Sequence, residues 1–352
     1  MGLENRIKVC IRGMSGLLGM RLALAIQKQP DIVLVAGIVR NDETLGRVLN
    51  SPFNEGVWPS MMYLDEPQRA VRELNDSQSK IRFMPADQLN LAKVCDVVID
   101  ATAPGSRQKW EERYRHFQKP VIIQSGEYPA GRLISPPFIE DGLSMKNVYR
   151  QGDCILSALT PVISALEQLI ETIRISVLMQ YGQRLHDYPT SQRINSTYLR
   201  DDLASQIKDE LERLFECKKI IMEGVLQVPG LDYYTATIHL DSKIPLEGKD
   251  IEGLLRKHPR VFVAPKGISS TYEIDHLLRE ESRSLGKDIP PIVVYSGDFE
   301  FTEARRENIR IRMTIYSRLI AVLPNIDSIR ILAGNVSPLE AMRMTDNYAG
   351  FS

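Results

Sequence analysis

The chain has 352 residues, which at roughly 150 residues per domain predicts about two domains, each able to bury its own core. Forty-four Lys and Arg stand against 45 Asp and Glu, a net charge of -1, which argues against a nucleic-acid partner and leaves small molecules as the expected ones. With 43% hydrophobic and 25% charged residues, and no apolar run of the ~18 residues a bilayer span needs, neither disorder nor a membrane partner is expected.

The opening MGLENRIKVCIRG lacks a signal peptide's layout, and Arg6 stands where a myristoylation signal needs Ser or Thr, so the expected address is cytoplasmic. Residues 6–12 alternate with Ile7, Val9 and Ile11 on one side and predict a strand. A glycine-rich turn, Gly13 to Gly19, follows and leads into a helix carrying Leu22, Leu24, Ala25 and Ile26, which Pro30 must end. Residues 32–39 (IVLVAGIV) are a continuous apolar run of strand length, as in a parallel sheet covered on both faces. One complete βαβ unit is therefore expected within the first 40 residues.

A long connection of unread function runs from about 41 to 80. Strands are predicted at 81–84, 94–101 and 121–125, with a helix at 106–118 between the last two; strands alternating with helices mean a doubly wound sheet. Near residue 150 the texture changes. A helix with Leu159, Val162, Ile163, Leu166, Leu169 and Ile170 at buried-stripe spacing precedes long alternating segments at 173–181, 219–228, 233–240, 260–264, 291–296 and 309–323. These predict half-buried strands of a mixed or antiparallel sheet. An amphipathic helix with Leu203, Ile207, Leu211 and Leu214 falls within 201–219, and 324–343 reads as a closing helix that Asn325 or Asp327 would cap. The expected fold is α/β: an N-terminal Rossmann domain (1–152), an α+β substrate domain (153–323), and a C-terminal helix (324–352) returning to the first.

Gly13-Met14-Ser15-Gly16-Leu17-Leu18-Gly19 spaces its glycines as GxxGxxG between a strand and a helix. That placement lets backbone amides and a helix N-terminus approach a pyrophosphate, so this turn is the candidate dinucleotide site; a ligand-free βα turn is the alternative. After the second strand the chain shows Val39-Arg40-Asn41, not the acid that would accept from ribose hydroxyls. A guanidinium suits a 2'-phosphate, so NADP is expected over NAD. Thr102-Ala103-Pro104-Gly105 follows another predicted strand, at the carboxyl edge where open sheets place ligands, and is the candidate nicotinamide-side loop.

Four cysteines, Cys10, Cys95, Cys154 and Cys217, lie far apart without CxxC spacing, which predicts neither a zinc site nor a disulfide framework. Cys154 falls where the second domain's first helix should begin, a position that favours a thiolate nucleophile, although Asp153 beside it works against the charge. A small buried hydrophobe is the other reading of a cysteine.

At KVCIRGMSGLLGMRLALAI, DVVIDATAPG with PVIIQSGE, DCILSALTP, HPRVFVAPKGISSTYEI and VLPNIDSIR, the chain resembles the glyceraldehyde-3-phosphate dehydrogenase superfamily, most closely its archaeal-type (type II) branch. The resemblance implies that Cys154, with Pro161 seven residues on, is the catalytic cysteine, that a histidine serves as base, and that Pro324 and Asn325 meet the nicotinamide end. It also implies a homo-oligomer, dimer or tetramer. The active-site pattern departs from the family's: Ile155, Leu156 and Ser157 replace the Thr and Asn residues after the cysteine, and the paired phosphate-holding arginines have no match. Glyceraldehyde 3-phosphate is therefore not the expected substrate. His239 and His186 are the candidate bases, Ser157 and Arg184 the candidate substrate-binding residues, with Arg193 a further anion-binding candidate.

Three readings follow. The first is an NAD(P)-dependent oxidoreductase acting on an aldehyde or semialdehyde through a cysteine thiohemiacetal. The second is a direct-hydride reductase of the dihydrodipicolinate reductase type. The third is a nucleotide-binding homologue with altered chemistry.

Overall fold

The structure, a computed structural model, describes residues 6–41, 58–66, 71–77, 81–140, 147–181, 197–216, 218–229, 233–258, 260–276, 291–296 and 308–349. Its contacts divide the chain into two compact units: Met1–Ile134 with Asp141–Asp153 and Val322–Tyr348, and Ser135–Glu140 with Cys154–Ala321 and Ala349–Ser352.

In the first unit, β1 (Ile7–Arg12) is the central strand, with Val9, Cys10 and Ile11 wholly buried. It pairs in parallel with β2 (Ile32–Val39) on one side and β5 (Val97–Asp100) on the other. The strands β3 (Met61–Leu64), β4 (Arg82–Pro85), β6 (Val121–Ile123), β7 (Arg132–Ser135), β8 (Phe138–Ile139) and β9 (Val148–Gln151) complete the order β4-β3-β2-β1-β5-β6-β9-β7-β8, of which β8 falls in the segment Ser135–Glu140 counted with the second unit. From β1 the chain first winds outward through β2, β3 and β4, then returns to start again at β5. The carboxyl ends of β1 and β5 therefore flank a topological switch point, where such sheets form a crevice.

Both faces of this sheet are covered, which is why β2 is apolar throughout. On one face Val9, Ile11, Val97 and Ile99 pack with Leu22 and Ile26 of the helix Leu17–Gln27 and with Ile326 and Ile329 of the helix Leu323–Ala333. On the other, Cys10, Ile38, Val98 and Val121 pack with Trp110, Tyr114 and Phe117. The fully buried Arg330 fixes the returning helix: its guanidinium donates to Asp31 Oδ1 and Gln29 Oε1 (2.7 Å each) and to Thr345 Oγ1 (2.6 Å).

The second unit is built on a mixed sheet of β10 (Ile170–Tyr181), β11 (Tyr198–Leu199), β12 (Lys219–Pro229), β13 (Tyr233–Ser242), β14 (Val261–Ala264), β15 (Ile292–Tyr295) and β16 (Asn308–Tyr316), in the order β11-β12-β10-β13-β16-β15-β14. The pairs β10–β13, β13–β16 and β15–β16 are antiparallel, β10–β12 and β14–β15 parallel. Period-two alternation buries Ala236, Ile238 and Leu240 of β13 with Ile309, Ile311, Met313 and Ile315 of β16. The helix Cys154–Leu166 is almost wholly buried, and Asp201–Leu214 buries Ile207 and Leu211. The molecule thus has a Rossmann-like α/β sheet and a second, mixed sheet with helices.

Several boundaries differ from the sequence reading. The connection 41–80 contains β3 and a helix, Val71–Ser77. The strand expected from 94 starts at Val97, after a short helix Leu91–Val94. Ile170 opens β10 instead of closing a helix. The apolar run 309–323 stops being strand at Tyr316, where Ser317–Ile320 turns helical. The closing helix is two helices, Leu323–Ala333 and Pro338–Ala349, and the first is entered at Val322 with Pro324 in its opening turn and no side-chain cap. Asn325 and Asp327 are wholly buried inside it.

His258, just beyond the helix Gly248–Leu255, accepts at Nδ1 from the Arg260 amide (3.3 Å). Burial first, and the Arg260 charge second, push its pKa down to about 4. Between an ordinary value near 6.5 and about 4 the unfolded chain binds the extra proton, so this histidine costs stability as pH falls through that window. Discounted for partial exposure, the loss is about 2 kcal/mol. Urea midpoints measured from pH 7 to pH 4 are expected to fall more steeply for the wild-type chain than for His258→Gln.

Candidate functional site

The crevice at the switch point is built by close backbone approach. The amides of Gly13 and Met14 both donate to the Ile38 carbonyl at the end of β2 (2.9 and 3.2 Å), and Gly16 N donates to Gly13 O (2.9 Å). Gly13 has φ +77°, and a Cβ there would lie 2.8 Å from the Ala101 carbonyl after β5. Neither the dihedral nor the gap accepts a side chain. Gly19 sits so tightly on Gly13 O and Met14 Cα that the helix Leu17–Gln27 starts against the turn. Gly16 caps that helix without a side chain, leaving its first amides to face the cleft, an arrangement suited to an anion.

The resulting cleft has a volume of about 380 Å³. It brings together Gly13, Ser15, Gly16, Arg40, Thr102 and Ala103 of the sequence-derived candidates. The others point elsewhere. Met14 is wholly buried in the core, Leu18 packs against it, and Leu17 is 48% exposed on the helix. Pro104 lies against Gly126, where an added Cβ would come within 2.6 Å of the proline ring. Asn325 exchanges hydrogen bonds with Gln124: Gln124 Nε2 donates to Oδ1 (3.1 Å), and Nδ2 donates to Gln124 Oε1 (3.4 Å).

Below the cleft lies a charged group that the sequence did not mark. Arg12, only 4% exposed, donates from Nη1 to Asp100 Oδ2 (2.9 Å) and Thr102 Oγ1 (3.2 Å), and from Nη2 to Asp65 Oδ2 (3.3 Å) and the Ser106 carbonyl (3.2 Å). Trp110 Nε1 donates to Asp65 Oδ1 (2.9 Å) and Tyr114 Oη to Asp100 Oδ2 (2.8 Å). Burial opposes the guanidinium charge, but Asp100, with Tyr114 and Asp65, holds its pKa above the ordinary value. Burial, and then Asp100, push the Tyr114 hydroxyl well up. On the cleft rim Glu66 takes Lys109 Nζ on Oε1 (2.5 Å) and Arg40 Nε on Oε2 (3.3 Å); Lys109 first and Arg40 second hold its carboxyl below the usual range.

Asp65, Glu66 and Lys109 were also missed. The first two lie in the unread connection, and Lys109 lies in a segment read only as helix. Nothing local marks them, since they meet the turn only through strand pairing.

In the second unit Cys154 is the first residue of its helix and partly exposed. Ile155 and Leu156 are wholly buried and Ser157 is 3% exposed. His239 stands on the half-exposed face of β13 between Arg174 of β10 and Arg310 of β16 in register. His186, Arg184 and Arg193 lie outside the described residues. Among the described residues, no group of three or more His, Cys, Asp or Glu could hold a metal ion, and no helix is long and apolar enough to cross a membrane.

Residues 7–126 match the family model "Dihydrodipicolinate reductase, N-terminus". Glyceraldehyde-3-phosphate dehydrogenase of Saccharolobus islandicus is 24% identical over 357 residues, covering 98% of each chain. The enzymes of that name from Saccharolobus solfataricus and Metallosphaera sedula are 25% and 23% identical, with 98% of each chain covered. Among solved structures, aspartate semialdehyde dehydrogenase of Candida albicans with NADP superposes with a TM-score of 0.64 at 13% identity, covering 96% of this chain and 99% of that one. Aspartate semialdehyde dehydrogenase II of Vibrio cholerae gives 0.59 at 10% identity, covering 97% and 98%. The chain is thus similar along nearly its whole length to these dehydrogenases, over residues 7–126 to the reductase family, and it shares the fold of the aspartate semialdehyde dehydrogenases.

Replacing Arg12 by Met would leave Asp100 buried without its cation, a defect of about 3–5 kcal/mol. Equilibrium unfolding in urea is expected to show a loss of that size for Arg12→Met. Gly13→Ala should displace the Ala101 segment and abolish nucleotide binding, read by fluorescence titration.

Proposed function

We propose that the chain is an NAD(P)-dependent oxidoreductase of aldehydes or semialdehydes that works through Cys154, with glyceraldehyde 3-phosphate not its substrate. The single observation that carries the nucleotide half is the cleft at the switch point. Its lining includes Gly13, which approaches the Ala101 backbone too closely to carry a Cβ, and Gly16, the N-cap of the following helix. The residues present fit a dinucleotide. The Gly13, Met14 and Gly16 amides are held by Ile38 O and Gly13 O, so the amides of Ser15 and of Leu17, Leu18 and Gly19 in the first helical turn take the pyrophosphate. Arg40, 76% exposed at the rim, takes a 2'-phosphate, so NADP is the favoured cofactor and NAD the second. Thr102 and Ala103, which line the cleft, are assigned to the nicotinamide side; Pro104 lies against Gly126, and Asn325 is wholly buried on Gln124.

When bound, the nicotinamide supplies the hydride acceptor or donor. The chain supplies the rest. Cys154, at the start of a helix of 13 residues, attacks the carbonyl carbon as a thiolate, which such a position favours. His239 or His186 moves the proton to and from the thiohemiacetal oxygen. Ser157 and Arg184 hold the substrate. Ile155 and Leu156, wholly buried and without polar groups, offer nothing to a triose phosphate, which supports a different aldehyde. We further propose a cytoplasmic homo-oligomer, a dimer or tetramer.

The match of residues 7–126 to a reductase family favours a second reading, direct hydride transfer to an imine or carbonyl. Nicotinamide absorbance assays over a panel of aldehydes, semialdehydes and acyl phosphates separate the two. Turnover is expected to fall at least about a thousandfold in Cys154→Ala and to be lost on thiol alkylation, with bound NADPH protecting. Full turnover in Cys154→Ala would overturn the cysteine mechanism in favour of direct transfer. Tight NADPH binding with no turnover on any substrate would leave a nucleotide-binding homologue with altered chemistry. In direct titration, Arg40→Ala should weaken NADPH about tenfold more than NADH.

A further inference from the structure

We infer that Glu66 sets the balance between a 2'-phosphate and a 2'-hydroxyl at the adenosine end of the cleft, by standing as an internal anion between Arg40 and Lys109 where the phosphate would sit. This rests on the nucleotide reading of the cleft.

Three elements converge on this point. Arg40 follows β2, Glu66 follows β3, and Lys109 projects from the single-turn segment Ser106–Trp110 after β5. All three line the same cleft as the glycine turn. The backbone places Glu66: Asp65 N donates to Val39 O (2.9 Å) and Glu66 N to Arg40 O (2.6 Å), carrying the β2–β3 ladder past the strand ends. Below it Asp65 is held by Arg12 and Trp110, so the segment cannot shift without breaking buried bonds. Each carboxylate oxygen of Glu66 takes one cation, Oε2 from Arg40 and Oε1 from Lys109.

The electrostatics follow. Two cations and one carboxylate leave the rim one positive charge short of matching a phosphate dianion. A 2'-phosphate must turn Glu66 aside or lie beside it at a like-charge cost, whereas a 2'-hydroxyl can donate to the same carboxylate. The acid that usually follows the second strand is absent here, with Val39-Arg40-Asn41 in its place. Glu66 supplies it from the neighbouring strand end. Because the trio is solvent-exposed, its influence is screened by salt, so the effect is largest at low ionic strength.

Dissociation constants of NADPH and NADH, read by nicotinamide fluorescence at low ionic strength, test this on the full chain. Glu66→Gln is expected to tighten NADPH about tenfold and weaken NADH severalfold, both changes shrinking at 0.5 M salt. Lys109→Gln should weaken NADPH about tenfold and leave NADH within twofold. If both nucleotides bind the wild-type chain and the NADPH to NADH ratio of Glu66→Gln stays within twofold of it, the inference fails while the nucleotide reading stands. If neither binds the wild-type chain, the reading itself fails and takes the inference with it.

Discussion

The guanidinium of Arg12 ties the cleft together. It closes β1, reaches Asp100 at the end of β5 and Asp65 beyond β3, and takes in Thr102 and the Ser106 carbonyl of the following loop. A buried cation is tolerated where opposite charge compensates it, as Asp100 and Asp65 do here, so each of these segments is committed to one position. The glycine turn lies directly above this tie, and its approach to Ala101 requires the β5 end to stay where Asp100 holds it. Rigidity underneath keeps the turn and the helix start it feeds in one position.

Much of this architecture was legible from the residues. The run 32–39 coincides with β2 because a strand buried on both faces is apolar at every position, and the turn after Arg12 was marked by glycines, of which Gly13 and Gly19 leave no room for a Cβ. In the second unit β13 showed most plainly because one partly exposed face makes its burial alternate from Ala236 to Leu240. Four-residue strands such as β3 and β7 carry too few positions to show a period. Past Tyr316 the apolar run continues while the backbone turns helical, and apolarity alone does not distinguish the two.

The site was legible where its chemistry is local. Glycines, Arg40 and the Thr102 loop follow strands and could be placed by that alone. Glu66 meets Lys109, 43 positions later, only because β3 and β5 end at the same edge of one sheet. Arg12 likewise gave no sign, since a terminal arginine on a strand is ordinarily solvated. A shared fold carries many chemistries, and the differences lie in such edge residues.

The helix Leu323–Ala333 lends Val322, Ile326 and Ile329 to the layer beneath β1, and Arg330 locks it to Asp31 some three hundred residues earlier. The first unit is therefore discontinuous in the chain. A growing polypeptide released from the ribosome up to Asp153 has the strands but lacks part of the cover on one face, and this half can finish assembling only after the intervening unit has been synthesised. Late closure of this kind puts a long loop between its first and last contacts, an arrangement that slows folding and leaves apolar sheet surface open to other chains in the meantime.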